Sequence, residues 1–157
     1  MRRVVPVLVA LAAFASPLAA QTHPDFSGKW LLDTAKVQAP MAPQSMTLTV
    51  TQDVKAVKIE SDAVTQMGEQ KGTTVINLDG SQSKNTVQTP NGPLDMLSTG
   101  AWDGSTFVVT TNTEIQGQAL QQTDRWSLEP DGKTLHLDRA VAVAGQNFDV
   151  KLTFTKQ

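Results

Sequence analysis

Asp124 and Arg139 have the most chemistry to offer in this sequence. Each falls on the apolar face of an alternating segment, Arg139 among Leu135, Leu137, Val141 and Val143. The strand pairing derived below sets the two directly opposite one another. A charge on such a face is costly unless it is matched. Two readings follow. The pair is a buried ion pair with the guanidinium stacked on an aromatic ring, or Arg139 is an anchor for a ligand carboxylate. Thr74, Ser83, Asn85, Ser98, Thr111 and Gln122 share that inward face. A solid core rarely holds so many hydroxyls and amides without partners. They line a wet pocket with apolar walls, or they sit at an open rim where water satisfies them. Trp30, Trp102 and Trp126, with Phe107, Phe148 and Phe154, form either an aromatic cage or plain core. The candidate ligand-binding set is therefore Arg139, Asp124, Gln122, Thr111, Ser98, Asn85, Trp102, Trp126 and Phe107.

Catalytic chemistry finds little support. The two histidines, His23 and His136, are far apart, and His136 has the parity of an outward residue. No His-His-Glu grouping suits a catalytic zinc, and no nucleophile elbow accompanies either histidine. With no cysteine, thiol catalysis, iron–sulfur clusters and disulfides are all excluded. Met41, Met46, Met67 and Met96 have no metal-binding spacing and read as gap-fillers. If the chain is cut after Ala20, it begins Gln21-Thr22-His23, whose amine, amides and imidazole could bind Cu(II) or Ni(II) in a square plane. No enzyme activity and no cofactor are expected.

The elements that carry these residues are strands. Turn pairs recur at near-even intervals: Asp79-Gly80, Asn91-Gly92, Asp103-Gly104, Gln116-Gly117, Asp131-Gly132 and Gly145-Gln146. Such pairs favour the positive φ of tight hairpins. Between them lie alternating segments rich in Thr, Val and aromatics, with no helical period. Ten strands are read, near 27–33, 45–52, 56–62, 72–78, 81–89, 94–102, 105–113, 120–128, 134–143 and 148–156. Facing residues in an antiparallel pair point to one face. Hairpin by hairpin, facing residues can be paired: Val50 with Val57, Leu78 with Ser81, Trp102 with Ser105, Phe107 with Trp126, and Leu128 with Leu135. The last hairpin matches Val143 with Phe148, Val141 with Val150, and Arg139 with Leu152. One face of one continuous sheet is apolar throughout, and closing it into a barrel removes its edges. Residues 35–44, with Pro40 and Pro43, interrupt the meander. They are a loop over one barrel end with Val37 and Met41 tucked in, or an exposed linker.

The first 20 residues read as a leader. Arg2 and Arg3 precede an apolar run from Val4 to Phe14, and Ser16-Pro17-Leu18-Ala19-Ala20 ends on small residues that a signal peptidase accepts. The run is shorter than the ~20 residues that a bilayer span needs. Without a cysteine there is no lipid anchor of the bacterial lipoprotein kind. The whole chain carries 13 basic and 15 acidic residues, and losing Arg2 and Arg3 tips the balance further toward acid. Basic residues are scattered singly, which argues against nucleic-acid binding.

The segment Asp25-Phe26-Ser27-Gly28-Lys29-Trp30-Leu31-Leu32 carries a Gly-x-Trp opening. Trp102-Asp103-Gly104, Trp126-Ser127-Leu128, Asp131-Gly132-Lys133-Thr134-Leu135 and Arg139 follow in order. Together they resemble small exported bacterial proteins of the lipocalin-like, calycin type, over essentially the whole chain after the leader. Gly-x-Trp also opens the intracellular lipid-binding proteins. The resemblance implies structural roles for Gly28, Trp30 and Arg139: Trp30 across the closed floor, with Arg139 packed on it. Ten strands match the lipid-binding proteins rather than the eight of lipocalins, yet loop 35–44 is too short for their two-helix lid.

The expectation is an all-β chain, an antiparallel up-and-down β-barrel of 8–10 strands. A cleaved signal peptide, 1–20, precedes a barrel domain, 21–157. The barrel is expected to be a periplasmic or secreted monomer, with no membrane span and no nucleic-acid partner. Its expected function is non-enzymatic binding of a small, mainly apolar ligand in its interior. The alternative is a protein-binding module, an inhibitor or interaction domain, with a filled barrel.

Overall fold

The computed structural model describes residues 23–37, 42–66 and 68–157. The proposed leader, Gln21, Thr22, Pro40, Met41 and Met67 lie outside the described residues.

Alternation of apolar and polar side chains, broken by turn residues, produces ten strands among the described residues: β1 (Gly28–Leu32), β2 (Ser45–Gln52), β3 (Ala56–Thr65), β4 (Gly68–Asn77), β5 (Ser83–Thr89), β6 (Gly92–Asp103), β7 (Thr106–Ile115), β8 (Gln118–Leu128), β9 (Thr134–Val143) and β10 (Gln146–Lys156). Each strand pairs with its sequence neighbours, and β1 pairs with β10, so the antiparallel sheet closes into a barrel. The fold is the all-β, up-and-down barrel that the hairpin pattern predicts, at the upper end of its strand count. A short 3-10 turn, Thr34–Lys36, follows β1, capped by the Asp33 side chain. Val37 packs against the core, as the tucked-in loop requires.

Three hairpins sit two residues away from the predicted register. Val50 faces Ile59, not Val57. Asp53 opens the loop after β2, and its carboxylate caps the turn by accepting from the backbone N–H of Lys55 and Ala56. Trp102 faces Phe107, not Ser105. Gly104, at φ 63°, takes the first loop position, so Asp103 closes the strand. Val143, Val141 and Arg139 face Gln146, Phe148 and Val150 rather than Phe148, Val150 and Leu152. The cause is Ala144 and Gly145, which both adopt positive φ (50° and 77°) and make the tight two-residue loop that such a pair favours. Because each shift is by two, every side chain keeps its face. Phe107–Trp126, Leu128–Leu135 and Asp124–Arg139 pair as predicted.

The wall is weakest between β4 and β5. Their register is a single pair, Lys71 with Gln88, in line with the predicted offset. Beyond it Leu78 and Ser81 lie outside the strands. Side chains take over where the backbone ladder opens. Asn85 accepts from the Val75 N–H at 2.8 Å and donates to the Val75 carbonyl at 3.0 Å, while Asn77 N–H donates to Ser83 Oγ. Asn85→Ala removes both links, and the expected cost is about 1–3 kcal/mol. Urea unfolding checks the magnitude, and faster hydrogen exchange at Val75 checks the location; unchanged exchange there would mean the seam is held by something else.

The core fills the closed end. Phe26, Trp30, Phe107 and Phe154 are fully buried, with Leu48, Val57, Ile76, Leu135, Leu137 and Leu152 around them. The segment before β1 crosses this end like a plug. Gln52 holds it, accepting from the Phe26 N–H and donating to the Pro24 carbonyl. The outer wall carries charge, with ion pairs Lys58–Glu60, Lys71–Asp62, Lys84–Asp95 and Arg125–Asp103. A membrane-spanning barrel shows an apolar band there instead. Among the described residues no helix is long and apolar enough to cross a membrane.

Candidate binding cavity

Above the filled floor the barrel holds an inner chamber of about 210 Å³. Leu48, Ile76, Trp126 and Leu137 form its apolar base, and Thr74, Thr111, Gln122, Asp124 and Arg139 supply its polar groups. Toward the open end lies a vestibule of about 560 Å³, walled by Leu120, Val141, Val143, Phe148, Val150 and Leu152. The two spaces share Met46, Ala63, Gln70, Gln122 and Arg139, which therefore form a neck between them.

Asp124 and Arg139 meet at this neck from β8 and β9. Arg139 Nε donates to Asp124 Oδ1 at 2.7 Å and Nη2 to Oδ2 at 2.8 Å, the bidentate geometry of a strong pair. Gln122 Nε2, two residues along the same strand, donates to Oδ2 at 2.9 Å. Burial is the largest influence on the guanidinium and works against its charge. The charge and hydrogen bonds of Asp124 together outweigh it, so Arg139 titrates above its ordinary range. The ion pair that the first of the two readings calls for is present. The stacking part of that reading is not: the cation over Trp30 is Lys156, with Nζ 5.2 Å from the ring centre. Closure of the barrel sets Lys156 opposite Trp30, whereas Arg139 lies in the middle of β9. Lys156 reaches the ring across Gly28, where an added Cβ would stand 2.6 Å from Lys156 Cε. That crossing, together with a φ of 140°, explains a glycine two residues before Trp30.

The structure places the other candidates in different surroundings. Gln122, Thr111 and Trp126 line the chamber with Asp124 and Arg139. Ser98 lies behind Thr111, fully buried, with the two hydroxyls 2.8 Å apart. Asn85 serves the β4–β5 seam, as does Ser83. Trp102 and Phe107 belong to the closed end. Trp102 stacks with His23, at 4.2 Å, and with Phe26, at 5.9 Å, away from the chamber lining. Phe148 stands at the rim, 45% exposed. Trp126 bridges floor and chamber, and its indole N–H is buried with no acceptor among the described residues, a cost of about 1–3 kcal/mol. Phe26 was not singled out from the sequence. It precedes the first strand, so no alternation marks it as inward. No group of three or more metal-ligating side chains occurs among the described residues.

No protein-family model and no curated protein matches the chain. Solved structures do resemble it. Secretory abundant heat soluble protein 4 from Ramazzottius varieornatus superposes with a TM-score of 0.53 at 14% identity, covering 84% of this chain and 94% of that one. Another secretory abundant heat soluble protein from the same organism gives 0.55 at 12% identity, covering 87% and 98%. At these identities the likeness is one of fold, that of a lipocalin-like ten-strand barrel.

Proposed function

We propose that this barrel is a non-enzymatic carrier that binds a small, mainly apolar molecule in its vestibule, with the molecule's polar end at the neck. One observation carries the reading: an apolar vestibule of about 560 Å³ opens at one end and continues into a chamber with a few convergent polar groups. That size lies within the roughly 300–1,000 Å³ typical of small-molecule pockets. The alternative, a protein-binding module, called for a filled barrel, and only the closed end is filled. We also propose that the protein acts outside the cytoplasm, in the periplasm or secreted, after removal of residues 1–20. The leader-like start supports this, and both structural neighbours are described as secretory.

Native mass spectrometry of gently purified protein should reveal a co-purifying lipid or pigment. Ala63, on β3, is nearly buried and belongs to the neck. Ala63→Phe is expected to plug that passage, abolishing the adduct and reducing uptake of an uncharged dye such as Nile red by about tenfold or more. If the plugged variant binds the dye as well as the parent does, the cavity is not the binding site.

A further inference from the structure

The charges that face the cavity decide which polar end it accepts. Among the described residues three charged ones line the chamber: Lys71, Asp124 and Arg139. Lys71 turns its ammonium to the outer wall, 2.8 Å from Asp62, and is largely exposed. The remaining two neutralise each other, since Nε and Nη2 of Arg139 are both committed to Asp124. Among the described residues Arg139 is the only charged one of the vestibule lining. A ligand carboxylate at the neck would therefore meet a guanidinium whose charge is already matched. It would also place a second anion beside Asp124, whose side chain is only 9% accessible, and the two like charges would repel.

What the neck still offers is neutral hydrogen bonding. Among the described residues Arg139 Nη1 has no acceptor and Gln122 Oε1 has no donor, because Gln122 uses only its Nε2 on Asp124. One group wants to give a hydrogen and the other to receive one. A hydroxyl does both. The chamber, at about 210 Å³, is too small for a whole ligand of ordinary size, so an apolar body must extend into the vestibule.

We propose that the neck selects a long-chain alcohol, or a similar uncharged hydroxyl-bearing amphiphile, and discriminates against fatty carboxylates. The selectivity rests on the cavity being the binding site, and the test separates the two ideas. Nile red bound to the purified full chain is displaced by 1-decanol or by decanoate at pH 8, where the carboxylate is ionised. The alcohol should act at a concentration about tenfold or more below that of decanoate. Any apolar pocket favours the alcohol to some degree, so the deciding quantity is the ratio in Asp124→Asn. That change leaves the Arg139 charge unmatched, and the ratio should move about tenfold or more toward decanoate. Gln122→Leu should weaken decanol several-fold relative to decanoate, by about one hydrogen bond, with each displacement referred to that variant's own affinity for Nile red. Should Asp124→Asn fail to fold, the Gln122→Leu variant decides. Decanoate displacing better than decanol in the parent, or ratios unchanged in the variants, overturns the selectivity and leaves the carrier reading intact. Failure of the dye and of both amphiphiles to bind overturns both.

Discussion

Arg139→Leu should lower the unfolding free energy by about 3–5 kcal/mol, and combining it with Asp124→Leu should recover most of that loss. The single change leaves a carboxylate in a nearly buried position with only Gln122 to bond it. The double change removes both charges and puts two leucines opposite each other on a face that already carries Leu137 opposite Trp126. The reverse single change, Asp124→Leu, should cost less. Arg139 is the more exposed partner, its side chain 26% accessible against 9% for Asp124. It lies at the neck, and a long side chain can carry its charge toward the open end. Urea unfolding followed by tryptophan fluorescence measures all three variants. A double variant whose loss is the sum of the singles would show that the two residues are not coupled. The same series bears on function. If the double variant folds yet no longer separates decanol from decanoate, the pair is kept for recognition rather than for stability.

Much of this geometry is legible without coordinates, for reasons that particular residues expose. The Asp124–Arg139 pairing could be read because Asp131-Gly132 fixes the β8–β9 hairpin, and a local turn sets the register of everything along its two strands. Three other registers differ from the sequence expectation because the deciding feature is backbone conformation. Ala144 at φ 50° looks like an ordinary strand residue in sequence, and nothing there marks Asp53 as the residue that caps its own loop. Face assignment survived these errors because a shift of two preserves parity. Closure is different. The β1–β10 seam joins the two ends of the sheet with no turn between them, so nothing local places Lys156 rather than Arg139 over Trp30. The division of polar inward residues among seam, core and cavity was equally hidden. Asn85 and Gln122 have the same chemistry and both fall on the inward face of their strands. Their fates differ because the ladder opens beside Asn85 and the barrel lumen opens beside Gln122.

The closed floor yields the second large effect, through Trp30. Its side chain is fully buried, its indole N–H donates to the Phe26 carbonyl at 2.8 Å, and Lys156 covers its ring. Trp30→Ala should cost about 3–5 kcal/mol, from lost burial and the cavity left behind. That is a large share of the ~5–15 kcal/mol that holds a domain of this size folded. Trp30→Phe keeps most of the ring and loses the hydrogen bond, so about 1–2 kcal/mol is expected, from smaller burial and an unpaired Phe26 carbonyl. The ordering matters more than either value. If the phenylalanine variant is as unstable as the alanine one, the bond to Phe26, not the packing, is what fastens the plug. In that case Phe26→Leu, which retains the carbonyl, should be mild, whereas a packing role predicts a substantial loss. Retention of Nile red links the floor to the cavity. Trp126 contacts both Phe26 below and the chamber above, so a loosened plug removes support from the chamber base. Folded Trp30→Phe protein should then release the dye faster than the parent, and an unchanged release rate would show that floor and cavity are independent.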